Sequence, residues 1–117
     1  MSKKIQEKEC TCDCAQPLVL YNQEQSERIC DVFRMLSEPS RLKIVVSLLH
    51  DEMCVQHILN LVGGTQSALS HQLRVLKDNR VLRARKSGQN VYYSIADEHV
   101  RRIVLLGLEH SDCGGEG

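Results

Sequence analysis

The sequence predicts a mainly α-helical domain with one small β-hairpin, because two periodic patterns recur along its 117 residues. Apolar residues return every three or four positions through several segments, which is the period of a helix that buries one face. Two runs of alternating apolar and basic or polar residues flank residues 87–90, as expected of a two-stranded hairpin. The length fits one domain with one modest core.

Each predicted helix has its own boundary signal. The first helix, from about residue 22 to 36, carries one apolar stripe made of Ile29, Val32, Phe33 and Leu36. Pro39 fits the first turn of a second helix that runs to about residue 50. Asp51 is a candidate N-cap for a third helix, which stops at a Gly-Gly pair, residues 63–64. Thr65 caps a fourth helix, and a last helix begins near Asp97 and runs to about residue 110.

Composition narrows the class of protein. No stretch approaches the roughly 18 apolar residues that cross a bilayer, and the N-terminus does not resemble a leader, so we expect a cytoplasmic protein without a membrane partner. In a reducing compartment the six cysteines are more often metal ligands than disulfides. The chain is neutral overall, but residues 65–90 carry a net charge of +5 and the remainder −5. We find no paired nucleophile and base and no phosphate-binding loop, which argues against an enzyme.

The fourth helix, TQSALSHQLRVLKDNR, has two distinct faces. Leu69, Leu73 and Leu76 form an apolar seam, and a second face carries Ser67, Ser70, His71, Arg74 and Lys77. Such a face suits a DNA major groove, and the short Gly-Gly-Thr connection to the preceding helix has the helix-turn-helix layout. For this helix alone, a merely solvated polar face remains an equal alternative.

The hairpin changes that balance. A basic hairpin directly after a recognition helix is a wing, so the sequence predicts a winged helix-turn-helix. Arg83, Arg85 and Lys86 are expected beside the minor groove or the phosphates, where they add an affinity that falls with salt.

The segment from Leu36 to Ile95 resembles the ArsR/SmtB family of winged helix-turn-helix metal-sensing repressors. The similarity is carried by LSEPSRLKIVVSLL, by DEMCVQHI and above all by SALSHQLRVLKDNRVLRARKSGQNVYYSI. The resemblance implies a homodimer that binds operator DNA near its own promoter and releases it when an inducer binds. Carried over by motif, the base-reading positions are Gln66, Ser67, Ser70 and His71.

A first metal site is predicted on the last helix. Asp97 and His99 lie at its start, whereas His110 and Cys113 lie at its end. Eleven residues of helix span about 16 Å, which one ion with bonds of about 2.0–2.3 Å cannot bridge within one chain. Two such helices packed antiparallel in a dimer bring the start of one beside the end of the other. The family pattern, D-x-H followed after ten residues by H-x-x-[EH], supports this site, although Cys113 departs from it; the alternative is four solvent-facing side chains.

A second, thiolate-rich site is also predicted. Cys54 and His57 are spaced i, i+3 on the third helix and match ligand positions of the family. Cys10, Cys12 and Cys14 form the run CTCDC, which has no packing rationale and would complete the site from the N-terminal tail. Gln56 stands where cadmium-sensing relatives have a second Cys, and a buried, inert Cys54 is the alternative.

The predicted function is that of a repressor whose apo homodimer binds operator DNA and dissociates on binding Zn(II) or Cd(II), with Pb(II) as a further candidate and no organic cofactor. Two alternatives stay open: a thiol-based redox or arsenite-sensing repressor, and a cytosolic metal-buffering protein. The predicted organisation is a flexible tail over residues 1–20, the DNA-binding and dimerisation domain over residues 21–112, and a C-terminal tail over residues 113–117.

Overall fold

The computed structural model describes the backbone of residues 22–116 and the side chains of residues 22–112. Within that range the chain is mainly helical with a small antiparallel sheet, which confirms the predicted fold class. The elements, in chain order, are α1 (Gln23–Leu36), α2 (Pro39–Ser47), β1 (Met53–Cys54), α3 (Val55–Val62), α4 (Gln66–Asp78), β2 (Leu82–Ser87), β3 (Asn90–Ile95) and α5 (Glu98–Glu116).

Side-chain caps fix the starts of α1 and α2. Asn22 and Gln25 form a reciprocal capping box, in which each side chain accepts a hydrogen bond from the other's backbone N–H at 2.7 and 3.1 Å. Glu38 caps α2, with Pro39 at the first helical position as predicted. The Ser40 hydroxyl donates to the Glu38 carboxylate, and the backbone N–H groups that follow also donate to it, so the pKa of Glu38 is lowered.

The predicted caps of α4 and α5 are confirmed. Thr65 Oγ1 accepts a hydrogen bond from the backbone N–H of Ala68 at 3.2 Å, and Asp97 Oδ1 accepts one from Val100 at 3.0 Å. Both caps satisfy a backbone donor that the first turn of a helix leaves free. The α5 helix continues to Glu116, so its backbone extends beyond residue 112, where the sequence predicted a tail.

The region between α2 and α3 differs from the prediction. α2 ends at Ser47 rather than near residue 50, and α3 begins at Val55 rather than directly after Asp51. The Asp51 carboxylate accepts a hydrogen bond from the adjacent Glu52 N–H at 3.0 Å and does not cap the helix. The reason is the short strand β1. Its backbone pairs with β3, so the helix cannot begin before the strand ends at Cys54.

The predicted hairpin is therefore part of a three-stranded antiparallel sheet with the order β1-β3-β2. A two-residue turn joins β2 to β3, and its Gly88 has a φ of 64°, which glycine adopts without strain. Residues that pair directly share a face of the sheet. One face turns Leu82 and Ile95 into the core, whereas the other carries Arg85, Tyr92 and Cys54 in one row across the three strands.

The core lies between α2, α3, α4, the sheet and the first half of α5. Its buried side chains include the three leucines predicted for the seam of α4, together with Val100 and Val104 of α5. The first helix contributes only Met35 to these buried residues. No helix in the described range is long and apolar enough to cross a bilayer.

The apolar stripe predicted for α1 is formed, but only part of it is covered by this chain: Leu36 packs against the core and Val32 is half-buried. Ile29 is 50% exposed and Phe33 is 54% exposed, so these two side chains are not covered within a single chain. On α5, Ile103 and Leu106 are 37% and 63% exposed. The two helices that flank the body thus leave apolar surface uncovered, which is unusual for a monomer.

Candidate nucleic-acid interface and metal sites

The polar face predicted for α4 is assembled on the protein surface. One shallow depression is lined by Gln66, Ser67, Ser70, His71 and Arg74. Ser70 is half-buried, whereas the others are exposed, and Lys77 is exposed one turn further on. None of these side chains hydrogen-bonds to another described residue, so their donors and acceptors are free for a ligand.

The helix that carries this face is held rigidly. The turn before it needs glycine, because Gly63 and Gly64 have φ values of 81° and 88°. The opposite face of α4 is packed into the core, and Arg41 Nε of α2 donates to Gln72 Oε1 at 2.8 Å. A rigid helix with a polar outer face can place its side chains in a DNA groove while their relative positions stay fixed.

The three basic residues predicted for the wing do not have the same environment. Arg83 and Lys86 are exposed. Arg85 instead donates from Nε and Nη2 to the two carboxylate oxygens of Glu52, at 3.1 and 2.7 Å. Its guanidinium carbon lies 4.9 Å from the centroid of the Tyr92 ring. The hydrogen bond from Arg85 lowers the pKa of Glu52, and the same bond raises the pKa of Arg85.

Two of the residues predicted for the C-terminal metal site lie close together at the start of α5. His99 Nδ1 lies 3.7 Å from Asp97 Oδ1, and both side chains are exposed. Because Asp97 uses Oδ1 to cap the helix, Oδ2 is left for a ligand. His110 is exposed about three turns further on, and Cys113 lies in the α5 backbone with its side chain outside the described range.

These α5 residues share one stripe of the helix. The positions of His99, Ile103, Leu106 and His110 are spaced by four, three and four residues, and the same spacing continues to Cys113 in the sequence. That spacing aligns them along one side of an α-helix, as in the seam of a coiled coil. Within the described side chains, no three His, Cys, Asp or Glu residues come together as a ligand set inside one chain.

The second predicted site has a different local structure from the one assumed. Cys54 is half-buried at the N-cap position of α3 with extended backbone, whereas His57 is exposed in the first turn. The two residues are therefore an N-cap and a third helical position, rather than two positions within the helix as the sequence predicted. Cys54 borders a small cleft with Gln66 of α4 and the wing residues 89–91. The other predicted ligands, Cys10, Cys12 and Cys14, lie outside the described residues.

Two contacts near these sites were not predicted. Glu52 reaches Arg85 of the wing across 33 positions of sequence. The guanidinium of Arg101 on α5 donates to the carbonyl of Leu49 after α2, and it pairs with Glu98 at 3.3 Å. Both contacts join segments that are distant in sequence, and no local pattern marks their partners.

A helix-turn-helix whose second helix presents a polar and basic face, followed by a three-stranded sheet with a basic hairpin, defines a winged helix-turn-helix protein. Residues 38–84 match the family model described as bacterial regulatory protein, arsR family. The chain is 35% identical over 108 residues to a transcriptional repressor SmtB homolog of Synechocystis sp., which covers 83% of this chain and 82% of the relative. It is 40% identical over 83 residues to a cadmium resistance transcriptional regulatory protein CadC homolog of Staphylococcus aureus, with coverage of 70% and 69%.

Solved structures agree. The fold is similar to a homodimeric winged helix-turn-helix DNA-binding domain of Mycobacterium bovis, a possible ArsR-family transcriptional regulator, with a TM-score of 0.72 and 26% identity over 81% of this chain and 91% of that one. The chain therefore belongs to the ArsR/SmtB family of metal-sensing transcriptional regulators, as its sequence motifs predicted. It is a regulator and not an enzyme.

Proposed function

We propose that the protein is a cytoplasmic, metal-responsive repressor whose apo homodimer binds operator DNA and releases it on binding Zn(II) or Cd(II), with Pb(II) as a third candidate. One observation carries the proposal. On α5 the exposed apolar side chains of Ile103 and Leu106 lie on the same stripe as His99 and His110. A surface that excludes water in a dimer and ends in metal ligands couples ligand binding to subunit geometry.

A second copy of the chain is the occupant that this surface fits. An apolar groove between α1 and α5 is lined by residues that include Phe33, Leu36, Ile103 and Leu108. Apolar surface from two helices of one chain is characteristic of a homodimer interface, which resembles a core divided between two subunits. The homodimeric M. bovis domain supports the same assembly.

An antiparallel arrangement of the two α5 helices satisfies both the apolar and the polar positions. The point midway between His99 and His110 falls between Val104 and Leu105, inside the exposed pair Ile103 and Leu106. A two-fold axis there places His99 of one subunit beside the partner subunit's His110. Each dimer then has two equivalent metal sites.

The donor set fits a tetrahedral soft or borderline ion. Asp97 offers Oδ2 without losing its cap, His99 and His110 offer ring nitrogens, and Cys113 offers a thiolate. Carboxylate, imidazole and thiolate are the usual ligands of zinc, and a sulfur donor favours cadmium relative to an all-N,O site. A bound ion would catalyse no reaction and would cross-link the two subunits.

DNA binding follows from the two outer faces of the dimer. The free polar face of α4, with Gln66, Ser67, Ser70, His71, Arg74 and Lys77, enters the major groove, and Arg83 and Lys86 of the wing approach the phosphates. Two recognition helices must match half-sites about one helical turn apart. An ion that is bound more tightly by the mismatched arrangement shifts the equilibrium away from DNA by that difference in affinity.

Cys54 and His57, with Cys10, Cys12 and Cys14, are proposed as a second, thiolate-rich site. What supports it is the position of Cys54 in the cleft between the first residue of α4 and the wing turn. A metal at this point would lie beside both DNA-binding elements of one subunit. Its effect on DNA would therefore not require a change in the angle between subunits.

The test is operator binding by fluorescence anisotropy, with DNA from the protein's own promoter, during titration with Zn(II), Cd(II) and Pb(II). We expect tight binding of the apo protein and release by one or more of these ions. His110→Ala should abolish zinc-dependent release, and Cys54→Ser serves as the matched test of the second site. If His110→Ala releases operator DNA at the same zinc concentration as the wild type, the α5 site has no regulatory role. Absence of operator binding favours the metal buffer, whereas release only by arsenite or oxidant favours the thiol sensor.

A further inference from the structure

The ion pair between Glu52 and Arg85 spans the whole width of the sheet. β1 and β2 are not neighbours, because β3 lies between them. Glu52 directly precedes β1, whereas Arg85 lies in β2 and is paired in register with Tyr92 of β3. The Arg85 side chain therefore crosses over the Tyr92 ring to reach the carboxylate on the far side.

The geometry of this contact sets it apart from an ordinary surface ion pair. Exposed ion pairs contribute little to stability on average. The Glu52–Arg85 pair differs because its hydrogen bonds are bidentate and the guanidinium also stacks on an aromatic ring, which fixes the geometry of the contact. Glu52 occupies the Nε–Nη2 edge of the Arg85 guanidinium, which is one of the two edges that an arginine can offer to a phosphate. Arg83, two residues earlier in the same strand, makes no hydrogen bond or ion pair with another described residue and is the natural comparison.

We propose that Glu52 and Arg85 form a strut that fixes the wing relative to β1 and α3, and that Arg85 positions the wing for operator binding without itself contacting a phosphate. This assignment rests on the proposed DNA-binding function and changes the role expected of Arg85 from the sequence. It also gives Glu52 a role in DNA binding, although its carboxylate has the same negative charge as the DNA backbone.

The salt dependence of operator affinity separates positioning from contact. Each phosphate contact contributes about 0.9 to the slope of log K against log salt concentration. A strut predicts that Arg85→Gln and Glu52→Gln each weaken binding by about fivefold with an unchanged slope, and that the double variant is no weaker than either single variant. Arg83→Gln, the matched control, should lower the slope by about 0.9.

Two further results decide the assignment. Arg85→Lys retains the charge but not the bidentate contact, so a strut requires it to behave like Arg85→Gln rather than like the wild type. A smaller salt slope in Arg85→Gln, or tighter operator binding by Glu52→Gln because Arg85 is released, would overturn the proposal. Thermal unfolding of each variant checks that the fold is intact.

The failure of the strut and the failure of the proposed function give different outcomes. If the wild type binds no DNA, the proposed function is wrong. Amide hydrogen exchange of the β1–β3 pairs, Met53 with Tyr93 and Cys54 with Tyr92, then tests the strut without DNA. Exchange must be faster in Glu52→Gln and Arg85→Lys than in Arg83→Gln, and equal rates in all three would exclude the strut.

Discussion

The DNA-facing half of the molecule and its α1–α5 half are built in opposite ways. In α4 the apolar side chains of Leu69, Leu73 and Leu76 are at most 4% exposed, and the outer face is polar. On α1 and α5, Phe33 and Leu106 are 54% and 63% exposed. The apolar face of α4 is covered by its own chain and its outer face is polar, whereas α1 and α5 present apolar groups that another apolar surface would cover.

This difference separates the two functions of the protein. The predicted recognition face lies within one chain, because five of its residues line one depression and Lys77 follows on the same helix. The proposed C-terminal metal site does not, because His99 is separated from His110 by eleven positions, or about 16 Å of helix. Sensing through the proposed α5 site therefore requires the dimer, whereas the shape of the α4 surface is set within each subunit.

The largest expected effect comes from a charge placed in the apolar stripe of α5. We expect Leu106→Glu to give a monomer, because the carboxylate would be desolvated between two helices. Loss of the second half-site contact should lower operator affinity by about 100-fold or more. Sedimentation velocity measures the assembly, and anisotropy measures the affinity.

Leu61→Glu is the matched control for that variant. Leu61 is 53% exposed on α3, outside the α1–α5 surface, so its substitution should leave the dimer intact. A dimeric Leu106→Glu protein would show that this stripe of α5 is not the interface. A monomeric Leu61→Glu protein would place the interface on α3 instead.

The second prediction separates the two roles of Asp97. Asn is as good an N-cap as Asp, so Asp97→Asn should keep the hydrogen bond from Val100 and unfold at nearly the wild-type temperature. It loses the anionic ligand, and zinc affinity should fall by about 100-fold or more, since even partners outside the ligand shell contribute 10- to 100-fold. Competition with a chromophoric chelator measures the affinity.

The matched control for this site is Glu98→Gln, which removes a carboxylate from the same turn. Glu98 pairs with Arg101 and is not part of the stripe. Its substitution should leave zinc affinity unchanged. Equal zinc affinity in Asp97→Asn and the wild type would remove Asp97 from the ligand set.

Features that depend on neighbouring residues were predictable from the sequence. The caps Thr65 and Asp97, the seam of α4 and the turn of the wing each rest on contacts within four residues along the chain. These signals are local because backbone donors at a helix start are satisfied by the nearest side chain. They were sufficient to place the recognition residues on one face.

Features that depend on distant residues were not predictable. The strand β1, the Glu52–Arg85 pair and the Arg101–Leu49 contact join segments that are 33 or more residues apart. The stripe of α1 shows a second limit, since periodicity identifies which residues share a face but not whether that face meets the same chain or another one. The metal sites combine both limits, because their ligands are expected from separate subunits or separate segments.

The smallest predicted effect tests whether the DNA-facing half is stabilised independently of the dimer. Arg80 follows α4 with a φ of 64°, where the chain reverses and the N–H groups of Arg80 and Val81 donate to the last carbonyls of the helix. Glycine adopts this conformation without strain, so Arg80→Gly should raise the free energy of unfolding by about 1 kcal/mol. Urea denaturation at several protein concentrations measures the gain, which should leave the dimer dissociation constant unchanged.

Gly88→Ala provides the reverse test, since Gly88 also has a φ of 64° and an added Cβ meets no atom within 4 Å. A loss of about 1 kcal/mol in the free energy of unfolding would therefore come from backbone strain alone. A weaker dimer in Arg80→Gly would show that the end of α4 is coupled to the α1–α5 surface, and the two halves would then not be independent.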